Sequence, residues 1–261
     1  MKIRIKFTKS GPLKFIGHLD IMRYFQKAFR RADVDVEYSQ GFSPHQLVSF
    51  AAPLGVGLTS DSEYMDVQLL SCDTPEEMMN RINAVMAENI QVVNFQVLPD
   101  DSKNAMSIVA AADYMVSIKD GYDFMDKESL EDKFDKFYHQ ETIVINKKTK
   151  KSEMEVDIKP LIYCVAFTEE DFHKKLQKTP GIEKKPTVAE SFTSGIKLYM
   201  QLATGSVNNL KPELVMEAFC KQEGIEFNPF AYQVHRMEVY ADMGDETKRD
   251  LIPLDQTTNV E

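Results

Sequence analysis

Across residues 1–98 the hydrophobic period switches from 2 to 3.6 and back, and then the cycle repeats. Met1–Phe7 alternates, with Ile3, Ile5 and Phe7 on one side and Lys2, Arg4 and Lys6 on the other, the pattern of a half-buried strand. His18–Arg31 reads as a helix, with Met22, Phe25, Ala28 and Phe29 as its apolar stripe. Arg23, Lys27, Arg30 and Arg31 share its opposite face at i, i+4, i+7 and i+8. Asp33–Tyr38 reads as a second strand and Glu63–Leu69 as a third, with Met65, Val67 and Leu69 inward. Thr74-Pro75-Glu76-Glu77 is a capping-box start with proline at the first helical position. Met78, Ile82, Val85 and Met86 follow at helical spacing, and Ile90–Val97 closes the unit as a strand.

The order is βαββαβ, which predicts a ferredoxin-like unit: an antiparallel sheet with two helices on one face. In that order the first and third strands are central neighbours. The face away from the helices then shows Lys2, Arg4 and Lys6 beside Tyr64, Asp66 and Gln68. The second half repeats the scheme. Tyr114–Ile118 is strand-like, Leu130, Phe134, Phe137 and Tyr138 mark a helix, and Thr142–Asn146 with Glu153–Ile158 flank a lysine-rich turn as a hairpin. Leu161–Phe167 is a further strand, Ile196 to Leu202 alternates strongly, and Pro212 opens a helix that Gly224 ends before the last strand, Tyr232–Tyr240. The expected fold is α+β: two tandem ferredoxin-like units. The first spans 1–100 with a long 39–62 loop, and the second 105–254 with a charged 168–193 insertion, before a polar tail at 255–261.

Composition narrows the function classes. The 261 residues are 43% hydrophobic, enough for a sizeable core. The longest uncharged apolar run, near Leu47–Leu58, is interrupted by prolines and falls short of the roughly 20 residues that span a bilayer. The charged, alternating N-terminus is unlike a signal peptide, so a cytoplasmic protein is expected. Cys72, Cys164 and Cys220 are far apart and form no CxxC pair, which predicts isolated thiols and no metal, iron–sulfur or other cofactor. The net charge of −10 hides an asymmetry: residues 1–32 hold nine Lys and Arg against Asp20 alone, +8, and the remainder carries −18.

That basic corner is a candidate phosphate footprint. Arg23, Lys27, Arg30 and Arg31 are the stronger candidates, since a guanidinium pairs phosphate bidentately, and Lys14 joins them just ahead of the helix. The strand lysines and Arg4 have a blander use, as cross-strand ion pairs. The loop from Gly41 to Gly57 is too apolar for disorder; Gly41, Phe42, Ser43, Pro44, His45, Gly55 and Gly57 form a candidate loop site. His18 and His45 could act as acid and base if the fold joins them, although each has a purely structural use. Gly205-Ser206 ahead of Pro212 is a weak anion-site signal against an ordinary turn.

Lys14-Phe15-Ile16-Gly17-His18-Leu19-Asp20 with Arg23, Tyr38-Ser39-Gln40-Gly41-Phe42-Ser43-Pro44-His45, Pro53-Leu54-Gly55-Val56-Gly57 and Glu63-Tyr64 resemble the radical-SAM-linked protein family. Glu155 to Pro160, and Gly205-Ser206 before Lys211-Pro212-Glu213, fit its second half. The resemblance spans about residues 2–240 and implies a bacterial protein of no established activity, encoded beside or fused to a radical SAM protein. It implies RNA or translation as the setting. The insertion at 168–193 departs from the family's compact second half.

Three functions are compatible with these readings. The first is an accessory protein without catalysis of its own, binding tRNA or ribosomal RNA and working with a radical SAM partner in RNA or ribosome modification. The second is a metal-independent endoribonuclease resembling tandem ferredoxin-like CRISPR RNA-processing proteins, with His18 and His45 catalytic; no glycine-rich loop of that family stands near the C-terminus. The third is a protein-interaction scaffold that binds no RNA.

Overall fold

The computed structural model describes residues 1–148, 153–177, 192–245 and 247–257. The fold is α+β and divides into two compact units, Met1–Ala111 with Arg236–Glu261, and Ala112–His235. The sequence reading places residues 236–254 with the second half; the last strand instead carries the chain back into the first unit.

In chain order the first unit contains β1 (Lys2–Lys9), α1 (His18–Arg31), β2 (Val48–Phe50), β3 (Thr59–Gln68), α2 (Pro75–Asn83), β4 (Val92–Leu98) and α3 (Ala105–Ile108). Then come β5 (Val109–Ile118), α4 (Lys127–Tyr138), β6 (Val144–Lys148), β7 (Glu153–Asp157), β8 (Ile162–Ala166), α5 (Glu169–Lys175), β9 (Lys197–Ala203) and α6 (Pro212–Gln222). The long strand β10 (Tyr232–Asp242) leaves the second unit, and β11 (Leu251–Pro253) ends in the first.

Within the first unit the strand order is β4-β1-β3-β10, with β2 also on β3 and β11 on β10. β1 lies antiparallel to β3 in the register Lys2↔Gln68, Arg4↔Asp66 and Lys6↔Tyr64. Alternation on β1 thus sends Ile3, Ile5 and Phe7 into the core and the three cations to the opposite face. α1 buries Ile21, Phe25, Ala28 and Phe29. Phe25 packs edge-on against Phe7 at 4.7 Å between ring centroids and against Phe50 at 6.2 Å. Met78 and Ile82 of α2 and Val92 and Phe95 of β4 complete that core. The Thr74–Glu77 capping box forms as expected, each side chain bonding the other's backbone N–H.

Three expectations for the first unit change. Asp33–Tyr38 is not a continuous strand, because α1 terminates through it: Asp33 takes a left-handed φ of 51° and Val34 donates to the Phe29 carbonyl. Only the bridges Val36↔Leu69 and Tyr38↔Gln46 remain. The 39–62 loop is partly regular, since β2 lies inside it and β3 begins at Thr59 rather than Glu63. Residues 255–257 are no free tail: Asp255 accepts from the Tyr64 hydroxyl (3.1 Å), and the Thr257 hydroxyl accepts from Arg4 (3.2 Å).

In the second unit the strand order is β10-β5-β9-β8, and β6 and β7 form the expected separate hairpin. Leu130, Phe134 and Phe137 of α4 are buried, and Phe134 and Phe137 meet Phe219 of α6 at 4.9 and 5.6 Å between ring centroids. The segment read as an insertion at 168–193 starts as a helix, α5, capped by the Thr168 hydroxyl; its 178–191 portion lies outside the described residues, as do the hairpin tip 149–152 and the tail 258–261.

Candidate nucleic-acid interface

The amphipathic spacing of α1 decides which cations face out. With Ile21, Phe25, Ala28 and Phe29 committed to the core, Arg23, Lys27, Arg30 and Arg31 are all exposed. Arg23 lies 3.6 Å from Asp20, one helical turn away and equally exposed, a pairing of little energetic weight. Arg30 Nε donates to the Gln26 carbonyl at 3.2 Å and Arg31 Nη2 to the Val85 carbonyl at 3.1 Å. Carbonyl partners orient a guanidinium without cancelling its charge. Asp33 and Asp35, exposed just past the helix, form the acidic edge of this patch.

The strand cations have the opposite fate. Arg4, 2% exposed, grips Asp66 through Nε–Oδ1 (2.8 Å) and Nη2–Oδ2 (3.1 Å). Its Nη1 donates to the Leu254 carbonyl (3.0 Å), and the second oxygen of Asp66 accepts from the Ala105 N–H (2.7 Å). Lys6 donates to Glu238 at 2.8 Å and lies 3.4 Å from Asp255. Burial opposes the charge on Lys6, but Glu238 and Asp255 outweigh it and raise its pKa. The Tyr64 hydroxyl donates to Glu238 (2.7 Å); burial first, then these two carboxylates, push its pKa well above 10. Glu63 pairs with Arg236 in a second buried ion pair. Arg4 and Lys6 of the basic strand face are thus held in an internal network of ion pairs, while half-buried Lys2 donates to the Ser102 carbonyl at 2.7 Å. The exposed cations of the +8 corner are those of α1.

Lys9 has a further role. Only 2% exposed, it donates from Nζ to the carbonyls of Lys14 (3.3 Å) and Ile16 (3.0 Å), and burial lowers its pKa. The Lys14 carbonyl also accepts from the Gly57 N–H at 2.8 Å. Gly57 holds φ at +88°, open to glycine at no steric cost, so this crossing between the 11–17 turn and the 53–57 loop needs that residue. The crossing leaves Phe15 (65%), Leu19 (61%) and Val56 (60%) exposed. Sequence reasoning missed these three; the signal was Leu19, which falls off the apolar stripe of α1 and so has no core to enter.

The remaining candidates are dispersed. His18 lines a small cleft with Phe7, Lys9, Phe50 and Glu63, its ring edge-on to Phe50 at 5.1 Å. His45 lines a different cleft of about 340 Å³ with Lys2, Gln46, Ser49, Asp66 and Asn104, and its Nδ1 is 2.8 Å from the Ser39 hydroxyl. Gly41, Phe42, Ser43, Pro44 and His45 form an exposed tip, with Gly41 at φ +114°, whereas Gly55 needs no such conformation. Gly205-Ser206 stands well ahead of α6, whose N-cap is Lys211, and so does not lie at that helix's N-terminus. Cys164 and Cys220 are buried thiols; Cys72 is half-buried. Among the described residues no three His, Cys, Asp or Glu side chains are grouped to hold a metal ion. No described helix is long and apolar enough to cross a membrane.

These features define an α+β protein whose first helix turns an arginine-rich face outward while Arg4, Lys6 and Lys9 of β1 are bonded within. The chain belongs to a family of uncharacterized proteins conserved in bacteria (DUF2344), whose family model matches residues 2–212. No curated protein matches it.

Proposed function

We propose that this protein binds RNA through the outward face of α1 and works as an accessory to a radical SAM enzyme in RNA or ribosome modification, without catalysis of its own. The observation that carries RNA binding is the sorting of cations: Arg4, Lys6 and Lys9 are consumed internally, while Arg23, Lys27, Arg30 and Arg31 stand together on one exposed face. Lys14 flanks the start of that face. Arginines held by carbonyls keep their full charge for phosphate. An overall charge of −10 confines such contact to this corner and disfavours indiscriminate polyanion binding.

The radical SAM partner rests on the motif resemblance. Its test is co-elution of the two purified proteins in gel filtration. The same proposal treats each unit as ferredoxin-like, a view supported by the strand orders β4-β1-β3 and β10-β5-β9-β8. An acid–base pair of His18 and His45 has no support of this kind, because the two line separate clefts.

RNA binding is tested by titrating purified protein against bulk cellular RNA at a series of salt concentrations. The logarithm of the association constant should fall linearly with the logarithm of salt. Salt-independent binding, or none at low salt, overturns the proposal.

A further inference from the structure

We infer that the α1 site takes single-stranded RNA, with an unpaired base stacked on Phe15; this rests on the RNA reading of α1 and names the class of RNA. Phe15 is 65% exposed at the end of a short helical turn, Gly11–Phe15, just ahead of α1, and Leu19 and Val56 nearby are exposed to a similar degree.

Phe15 is braced from beneath. The buried Lys9 ammonium holds the carbonyls of Lys14 and Ile16, on either side of Phe15, and the Gly57 N–H holds the Lys14 carbonyl again. The backbone that carries the ring is thus fixed at both neighbours, by the buried Lys9 and, at Lys14, by the half-buried Gly57 as well. Leu19 and Val56 extend the apolar surface, and a Cβ at Gly17 would lie 3.9 Å from the Val56 side chain, so the two segments are in contact distance.

Charge selects the occupant. Lys14 Nζ stands 5.3 Å from the Phe15 ring centroid, and Arg23 follows Leu19 by one helical turn. An exposed aromatic ring on a fixed backbone and flanked by cations matches a base and its phosphates, and sequence-tolerant stacking plus a charged track is how single strands are held. In duplex RNA the base faces are stacked on one another and closed to Phe15. An acidic, apolar peptide would use the same cations and the same apolar area but needs no π face, so Phe15→Leu would keep a peptide and lose a stacked base.

The experiment compares wild type, Phe15→Ala, Phe15→Leu and Phe15→Tyr against labelled oligouridylate and a labelled GC-rich RNA duplex, by fluorescence anisotropy. All three substitutions are at an exposed position, and equal urea midpoints confirm that the fold is kept. Phe15→Ala and Phe15→Leu should both weaken oligouridylate binding about tenfold or more, from the worth of one base–aromatic stack, while Phe15→Tyr retains it. Duplex binding and the salt slope should be unchanged, because stacking releases no counterions. Oligouridylate binding by Phe15→Leu or Phe15→Ala equal to wild type overturns the stacked base. Loss of duplex and single-strand binding in equal measure does so too. Failure of the α1 reading shows separately, as a salt slope that Arg30→Ala with Arg31→Ala leaves unmoved.

Discussion

Arg4 illustrates how little a residue's type says about its exposure. On β1 it alternates with core residues as a solvent-facing cation would, yet it is 2% exposed and held by both oxygens of Asp66. Breaking one side of a buried ion pair strands the other charge. Arg4→Leu is therefore expected to cost about 3–5 kcal/mol in urea unfolding, and Arg4→Leu with Asp66→Leu clearly less than the sum of the single changes. Additive losses would show that the two side chains are not coupled. Tyr64 gives the pH dependence. As pH rises through 10 the unfolded phenol loses its proton while the folded one, with its pKa raised, keeps it. The folded state then binds more protons, so stability falls with pH. Lys6, also raised, adds the same sign above 10.5; Lys9, lowered by burial, opposes it just below 10.5. Urea midpoints of Tyr64→Phe between pH 9 and pH 11 should accordingly decline less steeply than those of wild type, about the ordinary phenol value near 10. Parallel declines would exclude Tyr64 as a contributor.

At the scale of elements, α1 does two jobs with one sequence pattern. Its stripe builds the core around Phe25, which is fully buried between Phe7, Phe29 and Phe50. Phe25→Ala should cost about 3–5 kcal/mol, read as a lowered urea midpoint, since three aromatic neighbours cannot collapse into the space. Its other face is free to carry charge. This division was legible in the sequence because helical period fixes both faces at once. The residues that share a face on β1 and β3 followed from strand alternation in the same way, whereas their pairing register did not. The parts that were not legible depend on tertiary partners. The Asp33–Tyr38 stretch has strand composition, but the left-handed turn at Asp33 that ends α1 diverts it, and β2 from the long loop pairs with β3 instead. The bracing of Phe15 needs a lysine from β1 and an amide from the 53–57 loop, groups that no local pattern relates.

At the scale of the whole molecule, the asymmetry between +8 in residues 1–32 and −18 elsewhere reads from sequence as one basic face on strand and helix together. The structure divides it. Arg4, Lys6 and Lys9 hold the first unit together, the exposed cations are those of α1, and Lys2 and Lys14 are half-buried. The account's central claim is that these helix arginines meet RNA phosphates, and a salt titration of oligouridylate affinity measures that most directly. Each phosphate neutralised on a single strand contributes about 0.7 to the slope of log K against log salt. Arg30→Ala with Arg31→Ala, both at exposed positions, should weaken binding and flatten that slope by about 1.4 relative to wild type. A slope identical in wild type and double variant would contradict the claim.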